Sequence, residues 1–175
     1  MRTLLTLICV ITMNYGYSQQ VTPAIEGFGA IYEIPQAVEK PDPSIDFKIV
    51  LDLKSGPVSP TDINPAINNI ARMFNLHAVG GVPKEKLDVV GVLHNLATPA
   101  VITNEAYQRK YGMDNPNMEL IKALKDSGVK LVVCGQSIIA RGFQFEDVNP
   151  DIKVSVSALT AFTTYQMRGY NLLAF

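Results

Sequence analysis

Residues 128–137 read Gly-Val-Lys-Leu-Val-Val-Cys-Gly-Gln-Ser. From Val129 to Cys134 the run is almost continuously apolar, broken only by Lys130. Such a run fits a parallel strand covered on both faces. Gly135 follows at once and permits a sharp turn and close approach of another group. Ser137 is placed to cap one or two helical turns reaching Arg141. Strand, tight turn and helix are the repeating parts of an α/β sheet, and the flanking sequence supplies more of them.

Upstream, Asp46 to Leu53 has strong β character and ends at Gly56-Pro57 and Ser59-Pro60. Ile63, Ile67, Ile70 and Phe74 recur at helical spacing behind an Asn64-Pro65 cap and first-turn pair. Gly80-Gly81 stops that helix. Leu87 to Leu93 is a second strand, ending at His94-Asn95. Thr103 or Asn104 caps a short helix through Lys110, broken at Gly112. Asn115-Pro116 is expected to cap another, with Met118, Leu120, Ile121 and Leu124 on its apolar side and its stop at Ser127-Gly128. Downstream, Ile152 to Val156 reads as a short strand, Ser157 to Met167 as a helix, and Gly169 to Phe175 as a closing strand. The alternation predicts a three-layer α/β domain with a mainly parallel sheet flanked by helices. Open sheets of this kind bind ligands beyond the carboxyl ends of their strands. That rule selects Asp52 to Gly56, His94-Asn95 and Cys134 to Ser137.

The first twenty residues are set apart from this pattern. Arg2 is followed by an apolar run from Leu4 to Met13 and a small, polar stretch from Asn14 to Gln20. Basic, apolar and polar segments in that order form a secretory signal peptide, with cleavage expected near Ser18 to Gln20. The run is too short to span a bilayer as a helix. Cleavage removes Arg2 and no acidic residue, so the net charge falls from −1 to −2. It also removes Cys9 and leaves Cys134 as the single cysteine of an exported chain, periplasmic or secreted. Residues 21–44, with Pro23, Pro35, Pro41 and Pro43, read as an extended lead-in, and residues 45–175 as the α/β domain.

Composition narrows the function classes. With 47% hydrophobic and 18% charged residues, a disordered chain is excluded. Near-neutral charge points to neither nucleic acid nor a membrane surface after cleavage. No Walker-type loop, dinucleotide fingerprint or Gly-x-Ser-x-Gly elbow occurs. Cys134, His94 and Asp52 are scattered and match no zinc spacing, so neither a metal nor a cofactor is expected.

What chemistry remains centres on Cys134. The free N–H groups of the first helical turn after it stabilise a nearby thiolate, and Arg141 adds a formal positive charge downstream. His94, ending what reads as a neighbouring strand, shares its rim and could pair with the thiolate or pass it a proton. Cys134 equally suits the last buried residue of a core strand, and His94 a turn residue bonded to backbone. A lone cysteine excludes dithiol exchange within one chain.

The ordered segments Asn64-Pro65 through Asn75, Val89 to His94, Asn104-Glu105-Ala106-Tyr107 and above all Gly128 to Ser137 resemble the DsrE/DsrF-like (YchN-like) family. The resemblance covers roughly residues 46–175. It implies a parallel sheet flanked by helices, homotrimeric or hexameric assembly, and sulfur carried as a persulfide on one cysteine. Cys134 matches a family cysteine position and His94 a strand-end histidine, while Gly135, Gln136 and Ser137 would bind the anion. The expected function is therefore a sulfur carrier or sulfurtransferase-like protein using a single reactive cysteine at the sheet rim. The sulfane sulfur donor and the thiol acceptor stay open. The alternatives are a non-catalytic oligomeric module for a small ligand, and a thiol redox sensor.

Overall fold

The computed structural model describes residues 19–174. The expected signal peptide, except for Gln19 and Gln20, lies outside the described residues, as does Phe175. Five strands form one sheet in the order β4-β3-β2-β1-β5. They are β1 (Phe47–Leu53), β2 (Leu87–Leu93), β3 (Lys130–Cys134), β4 (Lys153–Ser155) and β5 (Asn171–Ala174). Every neighbouring pair is parallel. The protein is a three-layer α/β domain, as the alternation of elements predicts.

The chain first builds outward from β1 to β4 in single steps. Helices α1 (Pro65–Val79), α2 (Asn104–Tyr111), α3 (Met118–Asp126) and α4 (Gly135–Ala140) make these connections. Their apolar residues Ile67, Ile70, Phe74, Leu120, Leu124 and Ile138 pack against Leu51, Leu53, Val89, Leu93, Leu131 and Val133. The last crossover runs from one edge strand to the other. Helix α5 (Ala158–Met167) carries it across the opposite face. There Ala158 and Ala161 meet Val50, Val90, Val92, Val132 and Cys134. The period of two along each strand sorts these residues between the faces.

Two helix starts differ from expectation. Cys134, extended at φ −72° and ψ 117°, occupies the position before α4, so Ser137 lies inside the first turn and does not cap it. Helix α3 begins after Asn117, not after Asn115. Asn115 is claimed by the chain before it: its amide donates to the carbonyls of Ala100 and Ile102 (3.0 and 2.7 Å). Its oxygen accepts from the Asn117 backbone and side chain (3.0 and 2.9 Å). Those two carbonyls border the tight 3-10 segment Asn95–Val101, which the pattern of the sequence did not announce.

The first part of the lead-in is docked on α1. Val21 and Ile31 form an antiparallel bridge, and Ile25 enters the core. Asn75, fully buried on α1, accepts from the N–H groups of Ala24 and Ile25 and donates to the carbonyls of Phe28 and Gly29. Gly29, at φ +60°, lies so close that a Cβ would fall 2.1 Å from the Arg72 nitrogen.

Candidate active site

Three neighbouring strands end in a polar row. Strands β1 and β2 pair Leu53 with Leu93, and β2 and β3 pair Leu93 with Val133. The next residues, His94 and Cys134, therefore occupy adjacent places at the strand ends. Alternation puts Asp52, His94 and Cys134 on the face of Val50, Val92 and Val132, the face covered by α5. The His94 ring meets Phe162 of α5 edge-on, with centroids 6.1 Å apart.

The sulfur is not open to solvent. Cys134 is 4% exposed, so of the two placements the sequence leaves open it takes the buried one. The return of the chain from β4 packs here: the carbonyl of Ser155 would lie 2.8 Å from a Cβ on Gly135, and Ala158 and Ala161 share a buried cluster with Cys134. Only glycine fits at 135 beneath that connection.

Burial alone pushes the Cys134 thiol up. Hydrogen bonds from the Ser137 hydroxyl and from the backbone N–H groups of Ser137, Ala158 and Gln136 outweigh it and hold the thiol below its ordinary value. The groups that lower it belong to the first turn of α4 and the first residue of α5, which lie on either side of Cys134. Of the expected anion-binding residues, Gln136 and Ser137 lie in the first turn of α4 and are among the groups that lower the thiol. Gly135 acts by its missing side chain.

Ser137 is itself held. The backbone N–H of Asn95 donates to Ser137 Oγ at 3.1 Å, which leaves the hydroxyl proton for the sulfur. Asn95 stands at φ 51°, a left-handed conformation that asparagine tolerates better than most side chains. Its side-chain oxygen accepts from the Arg141 guanidinium at the end of α4. Asn95 therefore clasps α4 at both ends. One N–H of Arg141 is engaged in this clasp, and Arg141 is not among the groups that lower the thiol.

His94 Nε2 bonds to Asp52 Oδ1 at 2.7 Å, with Lys54 4.0 Å from the other carboxylate oxygen. No hydrogen bond joins His94 to Cys134 among the described residues. The carboxylate fixes the orientation of the ring beside the thiol position. The sequence marks Asp52 as a strand-end position and a possible metal ligand, not as the partner of His94. Its spacing of two from Val50 was the available signal that it faces the same side as His94. No group of three or more His, Cys, Asp or Glu side chains converges to hold a metal among the described residues.

The pattern of the DsrE/DsrF-like family matches residues 48–175, nearly all of the sheet domain. The chain belongs to the DsrE/DsrF-like family. Two solved structures share the architecture of this DsrE/DsrF-like protein. One is a protein of unknown function from Methanobacterium thermoautotrophicum, with 14% identity and a TM-score of 0.54, spanning 74% of this chain and 100% of its own. The other is the YchN protein of E. coli, with 16% identity and a TM-score of 0.52, spanning 74% of this chain and 99% of its own. At that identity the likeness speaks for the fold. No match was found among the curated proteins. The matched region begins at Lys48, so the segment docked on α1 precedes it.

Proposed function

We propose that this protein handles sulfur, with Cys134 as the carrier. The observation that carries the reading is a cysteine at a strand end, between the first turn of α4 and the start of α5, whose surroundings hold its thiol below the ordinary value. A thiol held below its ordinary value is more readily the anion, and an anion is what attacks a sulfane sulfur. With thiosulfate as donor, the Cys134 thiolate bonds to the outer sulfur while the sulfur–sulfur bond of the donor breaks. Sulfite leaves with that electron pair. The product is a persulfide anion at Cys134, whose charge the same surroundings stabilise. An acceptor thiolate then attacks the terminal sulfur, and the Cys134 thiolate departs. His94, oriented by Asp52, protonates or deprotonates the groups that arrive and leave. Because Cys134 is buried, the packing around it has to yield for each transfer.

Two further parts of the reading concern setting. The order of charge and polarity in residues 1–20 supports export, which leaves one cysteine in the mature chain. Assembly into a homotrimer or hexamer is supported by the outer surface of the α5 side. Leu159 and Met167 on α5 are 77% and 88% exposed, and Val156 before it 76%. A monomer leaving such residues in water has surface fit for a second copy.

The burial of Cys134 favours one competing reading, in which the thiol is structural and the protein only binds a ligand. Intact-mass analysis after incubation with thiosulfate or inorganic polysulfide separates the two. The sulfur reading predicts a gain of one sulfur atom, mapped to Cys134 and reversed by a small thiol. Protein that stays unmodified while folded belongs to the competing reading.

A further inference from the structure

A second cleft opens at the carboxyl ends of the strands. It has a volume of about 250 Å3, and its walls include Pro57 beyond β1, Leu96 and Pro99 beyond β2, Tyr107 and Tyr111 of α2, and Arg141 at the end of α4. This is the end of a parallel sheet at which ligands bind. The sulfur reading makes no use of the cleft, since Cys134 lies on the α5 face.

The chemistry of the walls is lopsided. Prolines, leucine and tyrosine rings dominate, and no acidic residue lines the cleft. Arg141 makes no salt bridge among the described residues, and its hydrogen bond to Asn95 has a neutral acceptor. That bond occupies one of five guanidinium N–H donors and leaves a fork available. The charge of Arg141 reaches into the cleft: burial pushes the Tyr111 phenol up, and the nearby guanidinium pulls against it. The Tyr111 hydroxyl has no hydrogen-bond partner among the described residues, whereas that of Tyr107 is engaged with the Pro60 carbonyl at 2.8 Å. Lys110, 5.8 Å from the centre of the Tyr111 ring, adds a second positive charge nearby.

We propose that this cleft binds a small organic carboxylate, its head on the Arg141 fork and its apolar body against Pro57, Leu96 and Tyr111. An uncompensated guanidinium calls for an anion, and its planar fork matches a carboxylate. The apolar walls call for a carbon body, which an inorganic oxyanion lacks.

The test uses benzoate as probe, with benzamide as its neutral counterpart and sulfate as the inorganic anion. Each is titrated into isotopically labelled protein while amide NMR shifts are followed. The proposal predicts saturable shifts with benzoate centred on Leu96, Tyr111 and Arg141, and none with benzamide or sulfate at the same concentrations. R141Q weakens benzoate about tenfold or more, R141K by less, and K153Q, which removes a distant charge, not at all. The NMR spectrum of each variant reports its fold in the same experiment. Equal binding of benzamide, stronger binding of sulfate, undiminished binding by folded R141Q, or no saturable shift with benzoate overturns the proposal. No thiol chemistry enters these readouts, so they stand or fall apart from the sulfur reading.

Discussion

On one face of the sheet, Leu51, Leu53, Val89, Leu93, Leu131 and Val133 lie under α1, α3 and α4, with Phe74, Ile70 and Leu120 filling the layer between. On the other face, Val50, Val90, Val92, Val132 and Cys134 lie under α5, whose contribution is two alanines and the partly buried Phe162 and Tyr165. The first layer is thick, apolar and closed. The second is thin, and it ends in Asp52, His94 and Cys134. Burial of large side chains makes the thick face the source of stability. A single helix with small inward residues opens at lower cost than a whole core, and that suits a face where a buried sulfur must be reached. The proposed thiol chemistry would fall on the thinner of the two faces.

Paired truncations give the largest test of this contrast. Phe74→Ala on the thick face is expected to cost about 3–5 kcal/mol, and Phe162→Ala on the thin face about 1–2 kcal/mol. Urea midpoints measure both, and equal losses would break the comparison. Gly135→Ala comes next. Its Cβ would meet the Ser155 carbonyl at 2.8 Å, forcing the β4–α5 connection outward. We expect a loss of about 1–3 kcal/mol and, despite it, faster alkylation of Cys134 in folded protein. Slower alkylation would mean that this connection does not control access.

The sheet, its parallel sense and the strands around Cys134 were legible because long apolar runs and glycine stops report burial on both faces. Leu87 to Leu93 and the Asn64 cap of α1 are cases where local chemistry and tertiary packing agree. The start of α3 was not legible, because the carbonyls that claim Asn115 come from a segment earlier in the chain. The same holds for the site. Cys134 and His94 announce themselves by residue type and strand-end position. The packing of α5 against Cys134 depends on α5 crossing the whole sheet, and the clasp by Asn95 depends on a left-handed residue that carries no glycine as its sign. The His94–Asp52 pair required the register of β1 on β2, which no local pattern encodes.

Smaller effects probe the donors on the thin face. Ser137→Ala removes the hydroxyl that favours the thiolate. Its alkylation profile is expected to move to higher pH, with the rate at neutral pH about tenfold lower. An unshifted profile would remove Ser137 from the donor set. Asn95 gives the smallest effect. Asn95→Ala at φ 51° is expected to lose about 1 kcal/mol, while Asn95→Gly, free of that steric cost, loses less and keeps the backbone N–H on Ser137. If both variants shift the thiol profile equally, the side-chain bond to Arg141 matters and the backbone conformation does not.

The pH dependence of Cys134 alkylation in the native protein is the most direct measure of the central claim. Hydrogen bonds to the sulfur favour its anion, so the thiolate forms at lower pH than in a free cysteine. The account predicts a midpoint below that of a free cysteine peptide measured alongside it. A midpoint at or above the peptide's, or a thiol that reacts only on unfolding, would contradict it.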